Sequence, residues 1–332
     1  MARRLQRAWL RRGAPALLLW PLSLLFGALA AAHRGLYRWG CLGSHAAGVP
    51  VIVVGNVVAG GAGKTPVVMA LVEHLLARGL QPGVVSRGFG RRSRECLEVT
   101  PASSAQEAGD EPLLIARRCR VPVFVAAKRV QAAHALRAAY PETTVIVCDD
   151  GLQHHALRRD IEICVFDERG AGNGWLLPAG PLREPWPRPV DLVLRTAATP
   201  AIDGFVLHRS LASHAVRADG ERIALGELRG RHCRAVAGIA RPEAFFALLR
   251  AQGLHLVLEE SRADHDDFAQ ALPGVDADTV LLCTEKDAVK LWRHHPQAWA
   301  VPLSLEIEAP FWKAFDRLLS AKLSFGDGPE TS

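Results

Sequence analysis

The sequence predicts an α/β protein: a parallel-sheet domain, then a second, smaller α/β domain, with an apolar helix ahead of both. Three observations carry that expectation. From residue 49 onward, short β-branched runs alternate with helical patterns. The alternation breaks at 203–226, where the pattern suggests antiparallel strands around a turn at "ADGE", and then resumes. Ahead of it, residues 13–32 carry no charge at all.

The chain has 332 residues, enough for two domains. Hydrophobic residues make up 49% and charged residues 22%, which excludes global disorder. Arg3, Arg4, Arg7, Arg11 and Arg12 crowd the first twelve positions and fit an anionic membrane surface. No later basic stretch interleaves with aromatics, so no nucleic-acid partner is expected. The seven cysteines are odd in number, widely spaced and without a C-x-x-C, which fits a reducing compartment.

Strands are expected at 50–55, 82–86, 121–126, 144–149, 161–166 and 191–195, with helices at 64–78, 110–119 and 128–139. Residues 167–189, rich in Gly, Pro and Trp, read as a long ordered loop, and such loops are usually functional. The second unit reads as strand 233–239, helix 241–252, strands 254–259 and 279–283, helix 285–292, strand 300–307 and helix 310–321. The resulting boundaries are 1–40 for a membrane-associated segment, 41–202 for the first domain, 203–226 for a connecting β segment and 227–325 for the smaller domain.

The apolar run "GAPALLLWPLSLLFGALAAA" is long enough to span a bilayer, imitates a signal peptide, and equally suits an interfacial anchor or a buried helix. Pro15 and Pro21 weaken a straight spanning helix. Cleavage and export would send seven unpaired cysteines into an oxidising space, so retained membrane attachment is expected.

"VIVVGNVVAGGAGKTP" (51–66) is a strand running into a glycine-rich loop and a helix. The common G-x-x-x-x-G-K-[ST] pattern fails at its first glycine, where Val58 stands. Ala59 occupies the place of the signature lysine of partitioning-type ATPases. What remains, Val58, Ala59, Gly60, Gly61, Ala62, Gly63, Lys64 and Thr65, suits an ATP cradle. Small residues let backbone N–H groups wrap phosphate oxygens, Lys64 reaches the β- and γ-phosphates, and the Thr65 hydroxyl suits Mg²⁺. The first domain is therefore P-loop NTPase-like. "TVIVCDDGLQHH" (144–155) ends a strand on Asp149 and Asp150, where a Mg²⁺-holding carboxylate belongs; either one fits. "GDEP" (109–112) offers Asp110 as a base or as a helix-capping acid. "SRADHDDF" sets His265 among aspartates.

These stretches together resemble the tetraacyldisaccharide 4′-kinase family. The resemblance rests on "VGNVVAGGAGKTP", "SRGFGR", "GDEP", "DDGLQH", "GNGWLLPAGPLREP", "DHDDF" and "TEKDAVK", in that order along most of the chain. It implies transfer of the γ-phosphoryl of ATP to the 4′-hydroxyl of an acylated glucosamine disaccharide 1-phosphate, at the cytoplasmic face of the inner membrane. It implies a dyad of Asp110, as base, and His265, as its orienting partner, with the second unit closing over the first. It implies Mg²⁺ ligands among Thr65, Asp149, Asp150 and Glu184, and acceptor or phosphate contacts from Glu111, Arg129, His154 and Arg183. Phe89 departs from the family's usual tyrosine in "SRGYGR", so any hydroxyl contact there is absent. The rivals are a nucleotide switch, which needs no base, and a soluble sugar kinase, which leaves the apolar start unexplained.

Overall fold

The computed structural model describes residues 9–268, 272 and 279–324. Arg3, Arg4 and Arg7 lie outside the described residues. In chain order the elements are α1 (Ala14–Arg38), β1 (Val51–Gly55), α2 (Lys64–Ala77), β2 (Pro82–Ser86), β3 (Leu97–Glu98), α3 (Ala105–Ala108), α4 (Asp110–Cys119), β4 (Val123–Val125), α5 (Arg129–Ala139), β5 (Val145–Asp149), β6 (Ile161–Phe166), β7 (Leu192–Thr196), β8 (Phe205–Leu211), β9 (His214–Val216) and β10 (Arg222–Ala224). Then follow β11 (His232–Ala237), α6 (Pro242–Ala251), β12 (His255–Ser261), β13 (Val280–Thr284), α7 (Glu285–Leu291), β14 (Trp299–Val301), β15 (Leu303–Ile307) and α8 (Ala309–Ser324).

Two sheets form. The larger runs β15-β8-β7-β6-β1-β5-β2-β4-β3, parallel from β8 to β4 and antiparallel at each edge. Both its faces are covered, so β1, β2 and β5 are buried at every residue. The period of two sorts β1 between two cores. Ile52 and Val54 join Val68, Leu71 and Leu75 of α2, while Val51 and Val53 join Ala132 and Leu136 of α5. The smaller sheet runs β10-β9-β14-β13-β11-β12.

The chain crosses between the sheets twice, and both crossings correct the expected layout. The segment 203–226 is divided: β8 pairs with β7 in the larger sheet, while β9 and β10 belong to the smaller. The expected strand 300–307 is two strands broken at Pro302, β14 in the smaller sheet and β15 at the edge of the larger. Proline has no N–H for the ladder, so pairing stops there. The final helix also returns: Phe311, Phe315 and Leu319 of α8 pack into the larger domain's core. Strand patterning reports burial and leaves open which sheet receives the strand.

Helix α1 is continuous through Pro21, and Pro15 sits in its first turn, where a missing N–H is harmless. It is long and apolar enough to cross a membrane. Of its residues only Ala16 and Ser23 are buried, while Leu18, Leu24, Leu25 and Leu29 are exposed. Its inner side lies along the 167–189 loop. Trp9 Nε1 donates to the Pro178 carbonyl at 2.9 Å and Arg12 Nε to the Asn173 carbonyl at 3.0 Å. Ser23 Oγ donates to the Leu176 carbonyl and accepts from the Ala179 N–H, both at 2.9 Å. Gly27 permits the approach, since a Cβ there would sit 2.7 Å from Leu176.

Candidate active site

The phosphate cradle is built where β1 runs into α2. Gly60 and Gly63 have φ of +94° and +70°, a region that favours glycine. Gly63 caps α2 without any side-chain hydrogen bond, so the helix N-terminus keeps free amides for an anion. Three loop carbonyls are tied by arginines from distant strands and loops. Arg169 donates to the Ala59 and Gly61 carbonyls at 3.1 and 3.0 Å, and Arg209 to the Ala62 carbonyl at 2.6 Å. Val58 and Ala59, expected in the cradle, serve its frame instead. Val58 bridges Leu182, and the Ala59 N–H donates to the Pro181 carbonyl at 2.7 Å. The Ala59 amide is thus engaged before a phosphate arrives, and Gly60 to Thr65 follow it in the loop.

Lys64 Nζ lies 3.4 Å from Asn56 Oδ1 and 3.5 Å from Asp150 Oδ1. The two strand-end aspartates differ sharply. Asp149 is 1% exposed and neither carboxylate oxygen has a partner among the described residues. Burial, with Glu111 adding, pushes its carboxyl up to about 7 against the pull of Lys64. Asp150 is half-buried, and Lys64, Arg183 and Arg129 outweigh the cost of desolvation and hold it below the usual carboxylate range. An orphaned buried carboxylate is an oxygen donor that fits Mg²⁺, which commonly takes few protein ligands and completes its shell with water and phosphate. Glu184, by contrast, already has partners. Its oxygens accept from Gln153 at 2.8 Å and Arg34 at 3.2 Å, with Arg188 at 3.5 Å.

The GDEP turn brings the second centre. Gly109 has φ +90°, and a Cβ there would meet the Phe89 carbonyl at 3.0 Å, so "GDEP" nests against "SRGFGR". Asp110 opens α4 and is 6% exposed. His265, distant in sequence, reaches it from the smaller domain with Nδ1 3.1 Å from Asp110 Oδ2. Lys290 Nζ donates to the same oxygen at 2.8 Å. Burial alone would raise the Asp110 carboxyl; His265 and Lys290 reverse that and hold it low. Glu111 lies 3.7 Å from Lys286. The Phe89 ring lies 5.1 Å from the His265 ring, so aromatic packing persists without a hydroxyl.

A cavity of about 550 Å³ opens between α1 and the larger domain. Phe26, Ala30 and Arg34 line one wall; Arg87, Arg129, Asp150, His154 and Arg183 line the other. Arg129 Nη2 donates to the Asp150 carbonyl at 3.0 Å, and its N–H to His154 Nε2 at 3.2 Å. Burial, with Arg129 and Arg159, pushes His154 down to about 4, so it is a neutral acceptor at neutral pH. Arg183 contacts Asp150 at 3.3 Å and Gln153 at 3.4 Å. Sequence reasoning missed Arg34, Asn56, Gln153, Arg169, Arg209, Lys286 and Lys290. The two lysines stand at i and i+4 in "TEKDAVK", a spacing that could have flagged one helix face.

A helix N-terminus with uncapped amides, following a buried parallel strand and flanked by a strand-end acid, places the molecule among the P-loop nucleotide-binding proteins. The comparisons narrow the class. The family model described as LpxK, tetraacyldisaccharide-1-P 4′-kinase, matches residues 15–323. A tetraacyldisaccharide 4′-kinase of Acidovorax sp. (strain JS42) is 58% identical over 328 residues, covering 98% of this chain and 97% of its own. One from Polaromonas sp. (strain JS666) is 58% identical over 326 residues, covering 96% of each. The crystal structure of the "apo" form of LpxK from Aquifex aeolicus in complex with ATP is similar with a TM-score of 0.79 and 28% identity, over 92% of this chain and 99% of that one. The chain belongs to the tetraacyldisaccharide 4′-kinase family.

Proposed function

We infer that this protein transfers the γ-phosphoryl group of ATP to the 4′-hydroxyl of an acylated glucosamine disaccharide 1-phosphate, a step of lipid A biosynthesis, at the cytoplasmic face of the inner membrane. The observation that carries the reading is the Asp110–His265 contact, 3.1 Å across two domains, in a molecule that also holds a nucleotide cradle. A nucleotide switch has no use for such a base.

The residues divide the work as follows. The amides from Gly60 to Thr65 and the Lys64 ammonium hold the phosphates and offset charge on the transferring group. Asp149 and Thr65 would hold Mg²⁺, which neutralises phosphate charge when bound. Asp110 takes the proton of the attacking hydroxyl, and His265 orients it. Closure of the smaller domain brings His265 to Asp110 and limits water at the reacting phosphate. Arg34, Arg87 and Arg183 surround the cavity and suit an anionic, hydroxyl-rich acceptor.

Helix α1 supports an interfacial mode of attachment. Its polar contacts at Ser23 and Arg34, with Trp9 and Arg12 just ahead, bind it lengthwise to one domain, and its leucines face outward. A helix so docked lies in the membrane surface beside the cavity and presents a lipid headgroup while the acyl chains stay in the bilayer. The test uses purified protein, Mg-ATP and disaccharide 1-phosphate acceptors with and without acyl chains. Transfer to the acylated acceptor supports the reading, and its absence refutes it.

A further inference from the structure

A continuous run of hydrogen bonds leads from the middle of α1 to the phosphate cradle. It starts at Ser23, which is 3% exposed. The Ser23 hydroxyl donates to the Leu176 carbonyl and accepts from the Ala179 N–H, both at 2.9 Å. These two groups bracket a tight turn. The Gly180 N–H donates to the same Leu176 carbonyl at 2.9 Å, and Asn173 Nδ2 donates to the Ala179 carbonyl at 2.9 Å. Asn173 Oδ1 accepts the Trp175 N–H at 3.0 Å, which closes the turn. A Cβ at Gly180 would sit 2.2 Å from both Asn173 Oδ1 and the Trp175 carbonyl oxygen, so the turn requires glycine there.

The turn leads into residues 181–183, which are bonded on both sides. On one side the Leu177 N–H donates to the Leu182 carbonyl at 2.8 Å, and the Leu182 N–H to the Trp175 carbonyl at 3.0 Å. On the other side the same residues run antiparallel to 57–59. The Ala59 N–H donates to the Pro181 carbonyl and the Arg183 N–H to the Val57 carbonyl, both at 2.7 Å, with Val58 opposite Leu182. Gly60 is the next residue, and the cradle begins there. Asn56 ties the near end: its Nδ2 donates to the Val58 carbonyl at 2.7 Å, and its Oδ1 lies 3.4 Å from Lys64 Nζ. Ser23, Asn173, Ala179, Leu182, Val57 and Val58 are all buried. In a close-packed interior a displacement at one end of such a run is passed along to the other.

We propose that Ser23 is a positioning residue of the nucleotide site: bonded to the turn at 173–180, it holds 181–183 against 57–59 and so sets the start of the loop that wraps the phosphates. This role rests on the reading of Gly60 to Thr65 as the ATP cradle. Helix α1 then does two things with two faces. Leu18, Leu25 and Leu29 are exposed and suit a lipid surface, while Ser23 faces the turn. An anchor alone needs no hydroxyl at this place. Here the hydroxyl spends its proton on one backbone group of the turn and a lone pair on another. Seating of the helix and shaping of the ATP site are thereby one event.

The experiment is an ATP titration of the full chain in detergent micelles, without acceptor, on wild type, Ser23→Ala, Gly27→Leu and Lys64→Ala. Thermal melting and sedimentation with phosphatidylglycerol vesicles run beside it. Ser23→Ala leaves the buried Ala179 N–H without its partner, and Kd for ATP rises about fivefold or more. Gly27→Leu pushes α1 off the turn, since even a Cβ there lies 2.7 Å from the Leu176 side chain. It adds apolar surface, so binding to vesicles holds or rises while Kd for ATP rises as in Ser23→Ala. A merely structural Ser23 would lower Tm and leave the ATP affinity of the folded protein untouched. A Kd within about twofold of wild type in folded Ser23→Ala, or in Gly27→Leu where Ser23→Ala is unfolded, overturns the proposal. Lys64→Ala separates the two claims: if it binds ATP as tightly as wild type, the cradle assignment itself fails.

Discussion

The phosphate cradle and the dyad are built in opposite ways. The cradle is local: strand, loop and helix follow one another within residues 51–77, and its shape follows from backbone φ values at Gly60 and Gly63. The dyad is assembled from two domains, with Asp110 and His265 separated by 155 positions. The cradle depends on arginines that fix carbonyls; the dyad depends on the docking of one domain on the other. On the proposed reading, nucleotide binding is a property of the larger domain, and transfer requires the smaller one against it.

The largest break between the two comes from Asp110→Asn. Transfer falls by about 10²-fold or more while ATP binding persists, read by steady-state kinetics beside nucleotide titration. A comparable loss of both functions would mean the centres are not separable. Arg118→Ala removes the partner of Glu285 on α7. It lowers kcat by about tenfold through looser docking and leaves the affinity for ATP unchanged in the same titration. Arg209→Ala acts on the other side of the contrast. Loss of its bond to the Ala62 carbonyl loosens the loop and raises KM for ATP about tenfold, with the acidic limb of the pH profile of kcat unmoved. Smallest is Phe89→Tyr. The ring already packs on His265 and is 63% exposed, so kcat and melting temperature stay within about twofold and about 2 °C.

The same contrast explains what the sequence made legible. "GGAGKT" between a β-branched strand and a helix states its own chemistry, because every part lies within one turn of chain. α3 was equally available and went unpredicted: Ser104 and Glu107 form a reciprocal capping box in "SAQE". The pairing of Asp110 with His265 was reachable only through resemblance, since nothing near either residue marks the other. Arg169 and Arg209 are lone cations whose targets, Ala59 to Ala62, lie more than a hundred positions away. Glu184 was implied as a metal ligand only by the resemblance, and its contact with Arg34 comes from a helix whose docking no local pattern encodes. Pro302 stood inside the expected strand 300–307, and its meaning, a crossing between sheets, required the pairing of β14 and β15 with different partners.

The central claim is that one polypeptide holds ATP in the larger domain and transfers its γ-phosphoryl group to an acylated sugar only when His265 and Asp110 meet. The direct measurement follows γ-³²P from Mg-ATP into the acylated disaccharide 1-phosphate, with wild type and His265→Ala matched for ATP occupancy. The account predicts label on the 4′-oxygen with wild type and a loss of about 10²-fold with the variant. Equal labelling by the two proteins, or labelled inorganic phosphate with no labelled lipid from wild type, would contradict it.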